Sequence, residues 1–337
     1  MKLNILIDGY FFMYKNLYYL TSRGANIDNL LIYMMTEFDK LYNKFTDANF
    51  IIAYDDKNNN FRYNIYSKYK DNRLKDKSID WKLVYKQFDE FIIKIQEKYK
   101  SVKVITVPFL EADDMIYYIC KESNKIGYSN IIITSDQDYR QFLLSRLNYI
   151  NIKYDYLDPS SVDIAGKSKG NGNIYAALLL NELIKRKKIT NKISISLQNI
   201  FNNSKINIVN PEFNLFKQIV IGKPVYNING IIKTKAGKID KTGQYIGLTG
   251  VQGLYRLYKQ TYTKQIDFGS KQFIRRLLIA TLLYKNITSI TDEQKQQLYN
   301  DIKQNINLCY INEETIPAEY LNNLKEVYEN TIKEISK

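Results

Sequence analysis

The chain contains no histidine. That removes imidazole general-base chemistry, histidine-paired nucleophiles and most zinc sites from consideration. Only two cysteines occur, Cys120 and Cys309. Both lie in apolar stretches and read as small buried hydrophobes, not as a disulfide or a thiolate metal site. Long hydrophobic runs are missing too, since none approaches the roughly 18–20 residues of a membrane span. The opening MKLNILIDGYFF is a strand-like run interrupted by Asp8, unlike a signal peptide. A cytoplasmic protein with no membrane partner is therefore expected. No internal repeat or heptad array is present.

What the chain does have is size, apolar content and positive charge. Its 337 residues, 45% hydrophobic, suffice for one large or two modest domains with a proper core. The net charge of +14 suits a polyanionic partner, because lysine and arginine neutralise phosphates and release counterions. An AT-rich genome would also enrich Lys, Asn, Ile and Tyr by codon bias, so both origins of the charge stay open.

Four short Ile- and Val-rich runs, at 3–7, 50–54, 102–107 and 130–134, alternate with segments of helical period. This is the pattern of a parallel sheet flanked by helices, an α/β fold. The clearest helix covers 79–100, where Trp81, Val84, Phe88, Phe91, Ile92 and Ile95 recur every three or four residues. Another starts near Glu111 and runs to about Cys120. The organisation expected is a core over 1–158, an insertion over 159–212 that includes an apolar helix, and a smaller, mostly helical region over 213–337. A strand-like stretch is expected near 306–311.

Acidic residues stand at or just beyond the C-terminal end of each run. Asp8 ends ILID, and Asp55 and Asp56 end FIIAYDD. Glu111, Asp113 and Asp114 follow ITVPFLEADD, and Asp136 and Asp138 follow IIITSDQD. In an open parallel sheet these ends face one crevice. A single aspartate after a strand is ordinarily a turn or helix-cap residue. Four strands ending alike point instead to anions that need cations, and hard divalent ions such as Mg²⁺ or Mn²⁺ suit oxygen ligands best.

ILIDGY, YDDKNNNFR with YKDNR, LEADD and ITSDQDYRQF, in this order, resemble the metal-binding core of the 5′ nuclease family. That family includes flap endonucleases, the amino-terminal nuclease domain of bacterial DNA polymerase I and the ribonuclease H of T-even phages. The resemblance covers about 1–145, with an echo of the T-even enzyme at LYNDIKQNINLCYINEETIPAEYLNNL. It implies a PIN-like core followed by a DNA-binding region with a degenerate helix-three-turn-helix. It also implies a 5′-3′ exonuclease or flap endonuclease acting on DNA or RNA–DNA primer strands, in phage replication if the echo holds. Asp8, Asp55, Glu111, Asp113, Asp114, Asp136 and Asp138 become metal ligands, and Asp55 fits the pattern better than Asp56. Lys70 and Arg73 become catalytic contacts to the scissile phosphodiester at the foot of an arch, with Arg62 and Tyr69 beside the nucleic acid. Thr249, Gly250, Gln252, Arg256 and Lys259, in GLTGVQGLYRLYKQ, match a backbone-gripping turn and helix. A solvated basic face is the bland alternative for both basic groups.

The sequence departs from the family at its GDxxDN segment, whose aspartates complete a second metal site. GKPVYNING at 222–230 puts Lys223 and Tyr226 there, while an alternative placement from Gly237 offers Asp240 as an extra ligand. One tight ion and one substrate-dependent ion are therefore expected. A duplex with a 5′ end or flap is the expected partner for a monomer, with a single-strand-binding protein or sliding clamp possible by resemblance. A catalytically weakened nuclease fold serving as a structure-specific DNA-binding or scaffold protein is the competing reading.

Overall fold

The computed structural model describes residues 2–56, 59–134, 136–143, 156–157, 206–207, 211–235, 238–239 and 244–335. The amino-terminal half runs β1 (Lys2–Asp8), α1 (Gly9–Ser22), α2 (Leu30–Lys44), β2 (Asn49–Ala53), a single-turn α3 (Arg62–Ile65), α4 (Trp81–Lys98), β3 (Val102–Ile105), α5 (Ala112–Lys125) and β4 (Tyr128–Ile133). A 3₁₀ turn at Gln137–Leu143 follows, and β5 (Tyr156–Leu157) pairs antiparallel with β6 (Ile206–Asn207). The remainder is α6 (Pro211–Ile221), β7 (Lys233–Lys235), β8 (Lys238–Ile239), β9 (Gln244–Tyr245), α7 (Leu248–Thr261), α8 (Lys271–Tyr284), α9 (Asp292–Cys309) and α10 (Ala318–Ile335). Among the described residues no helix is long and apolar enough to cross a membrane.

The described chain divides into two compact units. The first draws on 1–59, 76–209 and 318–337. Its four strands form one parallel sheet in the order β3-β2-β1-β4. Both faces are covered, so the strands read as continuous apolar runs. Leu3, Ile5, Ile7, Phe50, Ile52, Ile131 and Ile133 pack with α1, α2 and α4 in one buried cluster. Leu6, Ile51 and Ile132 are also buried, on the α5 side with Met115, Ile116 and Ile119. Asp80 starts α4 by accepting the Leu83 N–H at 3.1 Å, and the apolar stripe expected for this helix is the one it buries.

Register on the α5 side is pinned by a buried amide ladder. Asn49 lies opposite Asn4, which lies opposite Asn130. Asn49 donates to Asn4 at 3.1 Å, and Asn4 donates to Asn130 at 2.9 Å. Asn130 also accepts from Ser123 at 3.0 Å and donates to Asn124 at 3.0 Å. Slipping one strand by a residue would strand these amides without partners in an apolar layer.

Contacts divide the chain differently from the linear division at 158 and 212. Helix α10 belongs to the first unit, where the Lys103–Glu334 ion pair (2.8 Å) and stacking of Tyr320 on Phe109 (4.9 Å) hold it. Residues 60–75, in turn, belong to the second unit with 210–317. That unit is mostly helical. Phe216, Val251, Leu254, Tyr258, Phe273 and Leu277 are buried within it, and Asn305 donates to Ile219 O at 2.9 Å and Asn229 O at 2.8 Å. The stretch at 306–311 is no strand. Ile306, Leu308 and Cys309 continue the buried stripe begun by Leu298 and Ile302, so the run closes α9. Between α6 and α7 stand a 3₁₀ turn and the small antiparallel sheet β8-β7-β9. The apolar helix expected within 159–212 lies outside the described residues.

Replacing Asn130 by Ala would leave the buried Asn4 Nδ2 donor without its partner and remove the shorter of the two bonds made by the Ser123 hydroxyl. A loss of about 2–3 kcal/mol is expected in urea unfolding; a loss below the uncertainty of that measurement would show that the ladder does not fix the register.

Candidate metal centre

Strand pairing brings the acids to one edge. Asp8 closes β1 opposite Ala53, with Asp55 two residues beyond, while Ile7 lies opposite Ile133, three residues before Asp136. Asp8 also starts α1 by accepting the Phe11 N–H at 3.0 Å. The next residue must be small. A Cβ on Gly9 would lie 3.0–3.1 Å from Tyr54, Ile52 and Phe88, so glycine lets the helix start directly at the strand end.

The second group gathers where α5 begins. Asp55 accepts the Ala112 N–H at 2.8 Å, and the Glu111 N–H donates to Asp114 at 3.2 Å. The Glu111 side chain accepts in return from the helix backbone, completing a reciprocal cap. Three of these carboxylates therefore act as helix caps as well. Capping fixes their direction, and oxygens of Glu111, Asp113 and Asp114 lie within 4.8 Å of one another. Asp56 instead accepts the Phe109 N–H at 3.2 Å and steadies a turn in which Phe109 has φ +69°.

After β4, the Thr134 hydroxyl accepts the Asp136 N–H at 3.1 Å, and Asp136 accepts the Asp138 N–H at 2.9 Å. Tyr139 is the residue that the sequence reading missed. Its hydroxyl donates to Asp8 Oδ2 at 3.1 Å. Burial, followed by the charges of Asp8, Asp113, Asp136 and Asp55, drives its pKa well above the ordinary tyrosine value. One phenol thus feels carboxylates from three strand ends and from the start of α5. The only signal in the sequence was an aromatic following SDQD.

Electrostatics express the same crowding. Asp8 is pushed up to about 7 by burial first, then by Asp55 and Asp136, against the lowering effect of Phe11 N–H and Tyr139. A donor set made only of oxygen, crowded enough to resist full ionisation, fits hard divalent cations. Glu111, Asp113 and Asp114 offer one such set, with Asp8 and Asp136 in the same crevice.

The other predicted residues lie in the second unit. Arg62 is 1% exposed, with its guanidinium over the Phe61 ring, and Tyr69 is equally buried, so neither side chain is presented to solvent. Lys70 takes φ +60° and is held by its N–H donating to Tyr226 O at 2.9 Å. Its ammonium lies 4.7 Å from the Tyr226 ring centre, Arg73 lies 4.4 Å from it and Lys223 3.6 Å. Helix α7 does begin at the expected turn, leaving Thr249, Gln252 and Arg256 exposed. Gly250 is tight, since a Cβ there would lie 3.0 Å from Ile246. Lys259 is committed to Glu212 at 3.0 Å and to Lys264 O at 2.8 Å, which makes it a strut within this unit instead of an outward charge. Asp240 lies outside the described residues.

The raised Asp8 pKa carries a sign that can be checked. Its folded value exceeds the roughly 3.9 of an unfolded aspartate, so its contribution to stability is complete below about pH 4 and disappears as pH rises towards 7. In EDTA, Tm should fall across that window. Asp8→Asn should flatten the fall and add on the order of 2 kcal/mol at pH 8. Parallel pH profiles for the two proteins would contradict the crowding.

Residues 3–165 match the family model of the 5′-3′ exonuclease N-terminal, resolvase-like domain. A 5′-3′ exonuclease of Buchnera aphidicola subsp. Schizaphis graminum is 27% identical over 163 residues, which are 47% of this chain and 55% of that protein. Its counterpart from subsp. Acyrthosiphon pisum is 26% identical over 166 residues, 47% of this chain and 54% of that protein. The match thus spans a little over half the length of these relatives. Among solved structures, a bacteriophage T5 protein co-crystallised with metal ions superposes with TM-score 0.56 at 14% identity, covering 99% of this chain and 100% of that one. A bacteriophage T5 flap endonuclease variant, in a pseudo-enzyme–product complex with DNA and metal ions, gives 0.55 at 15% identity, covering 100% of both chains. These two show a shared fold. The domain match and the exonuclease relatives make residues 3–165 similar to the N-terminal domain of 5′-3′ exonucleases, the stretch that holds the carboxylate-lined edge of the sheet.

Proposed function

We propose that the chain is a divalent-metal-dependent 5′ nuclease that hydrolyses phosphodiester bonds at 5′ ends or flaps of DNA or RNA–DNA strands. The observation that carries this reading is the convergence of Asp8, Asp55, Asp113 and Asp136 around the Tyr139 hydroxyl. Exonuclease relatives support it, as do structural neighbours solved with DNA and metal ions.

Glu111, Asp113 and Asp114, with Asp8 and Asp136, would hold Mg²⁺ or Mn²⁺. When bound, such ions lower the pKa of a water and neutralise charge on the leaving oxygen. Tyr139 keeps Asp8 oriented by donating to Oδ2, and the backbone caps aim Asp55 and Glu111. Without histidine, the proton of the attacking water has no imidazole acceptor, which suits chemistry carried by carboxylates and ions. Lys70 and Arg73 contact substrate phosphate, and the exposed Thr249, Gln252 and Arg256 at the start of α7 hold the duplex backbone. With Lys223 and Tyr226 where the family pattern has carboxylates, the remaining acids would hold a second ion only weakly in the absence of substrate. The protein works as a cytoplasmic monomer in replication.

One observation favours the alternative of a binding protein with weakened catalysis. Lys223 and Tyr226, where the family pattern has carboxylates, contact each other and the basic loop. A labelled 5′-flap duplex separates the readings. The nuclease should release the flap with Mg²⁺ and not with EDTA, and Asp113→Asn should slow cleavage at least about 100-fold while leaving EDTA-stage binding intact. Binding with no metal-dependent product at any Mg²⁺ or Mn²⁺ concentration would leave the scaffold reading.

A further inference from the structure

We infer that a pocket inside the second unit, walled on one side by α9, receives a single unpaired pyrimidine base of the cytosine type, with Asp301 accepting a hydrogen bond from its exocyclic amine. The inference rests on the nucleic-acid partner proposed above only for the strand that would carry the base. None of the pocket's residues is among those of the metal centre.

Asp301, Gln304, Asn305 and Leu308 recur at the spacing of three and four that puts them on one face of α9, and all four line the pocket. The other walls are Tyr66, the turn 228–230 and Tyr245 of β9. These walls are tied together. Asn305 donates to Ile219 O at 2.9 Å and Asn229 O at 2.8 Å, which fixes the turn to the helix, and Gln304 donates to Ile65 O at 3.4 Å, next to Tyr66. Gly230 sets the position of the last wall. A Cβ there would lie 2.9 Å from both Ile221 O and the Tyr245 ring, so the ring is seated against backbone that only glycine leaves open. The space enclosed is about 150 Å³. A cavity of roughly that volume takes one benzene ring, so the size suits a six-membered heterocycle better than a two-ring purine.

The chemistry of the lining selects among such rings. Asp301 is half-buried, and its Oδ1 accepts from Gln297 at 2.8 Å. Burial pushes its pKa up, and among the described residues the opposing influence is that hydrogen bond, not a cation. The same carboxylate acts on Tyr245, whose pKa is raised by burial first, then by Asp301 and Tyr66. Lys233 reaches the Tyr245 ring at 4.8 Å but is not part of the lining, which holds no lysine or arginine. One carboxylate and two phenols thus share a space that supplies no positive charge of its own. A neutral ring that donates N–H at one edge and accepts at another answers that set. The cytosine amine is a known match for a carboxylate, and tyrosine rings suit the flat face of an unstacked base. Uracil and thymine carry an oxygen in place of that amine, which would face the charge of Asp301.

Such a ring has two sources, a free nucleoside or an unpaired base of a strand, and both are probed with the full chain in EDTA. Calorimetric titration with cytidine and with uridine tests the first. The second is tested by fluorescence anisotropy of duplexes with one unpaired nucleotide, at the 5′ end or, in a second set, at the 3′ end. That nucleotide is cytosine, thymine, N4,N4-dimethylcytosine or an abasic site. Cytosine should bind about tenfold more tightly than the alternatives, and Asp301→Asn, which keeps the side-chain shape, should bring it down to the level of thymine. A preference seen only with nucleosides assigns the pocket to a free ligand, and one seen only with duplexes assigns it to a strand base. The dimethylcytosine comparison uses the unaltered protein, so it remains decisive if thermal melts show Asp301→Asn to be unfolded. Equal affinities in both formats, or a cytosine preference that survives in folded Asp301→Asn, would overturn the inference. Because no metal is present, failure of flap cleavage in Mg²⁺ would count against the nuclease reading alone.

Discussion

Mutual repulsion among carboxylates collected at the C-terminal edge of a parallel sheet is the constraint around which the first unit is arranged. Carboxyl groups from the end of β1, from just beyond β2 and β4 and from the start of α5 lie near one buried phenol, and Asp8 expresses the crowding as a pKa pushed up to about 7. Burial and like charge both oppose ionisation, so the arrangement persists because other interactions fix it. The asparagine ladder on the α5 side and the large aromatic and aliphatic cluster on the opposite side supply that rigidity. A stored electrostatic cost of this kind is what a cation would relieve.

The same carboxylates also serve ordinary structural ends. Asp8 starts α1, Asp55 accepts from the first residue of α5, and Glu111 and Asp114 exchange bonds across that helix start. Capping does not compete with the metal binding proposed for these carboxylates. A cap sets which way a carboxylate points, and pointing several of them at one volume is what makes a metal site. Gly9 contributes from the steric side, by letting α1 begin without a linker.

The second unit is organised by opposite charge. Its loop 66–73 and the turn at 223–228 bring cations onto Tyr226, and other basic residues serve as internal struts. Lys259 braces Glu212, and Arg62 is buried against Phe61. Net charge is therefore a poor guide to which lysines and arginines meet a ligand, because long side chains serve equally as struts. The raised positive charge of the chain gains meaning only where loop geometry concentrates it.

Sequence alone determined the layout of the sheet and its acids. Ile-rich runs of strand length, an apolar stripe of period three to four in α4, and aspartates after each run are local signals, and β1 to β4, α4 and the grouping of acids at the sheet edge followed from them. Tertiary structure decided the rest. Tyr139 could not be singled out, because its importance lies in which distant acids surround it. Apolar content at 306–311 could not distinguish a strand from the last turn of α9, since only packing reveals the period being used. Nor could position in the chain show that α10 returns to the first unit, that residues 60–75 leave it, or that Lys223 joins Lys70 and Arg73 on one ring. Those facts depend on contacts between residues far apart in sequence, which local patterns do not encode.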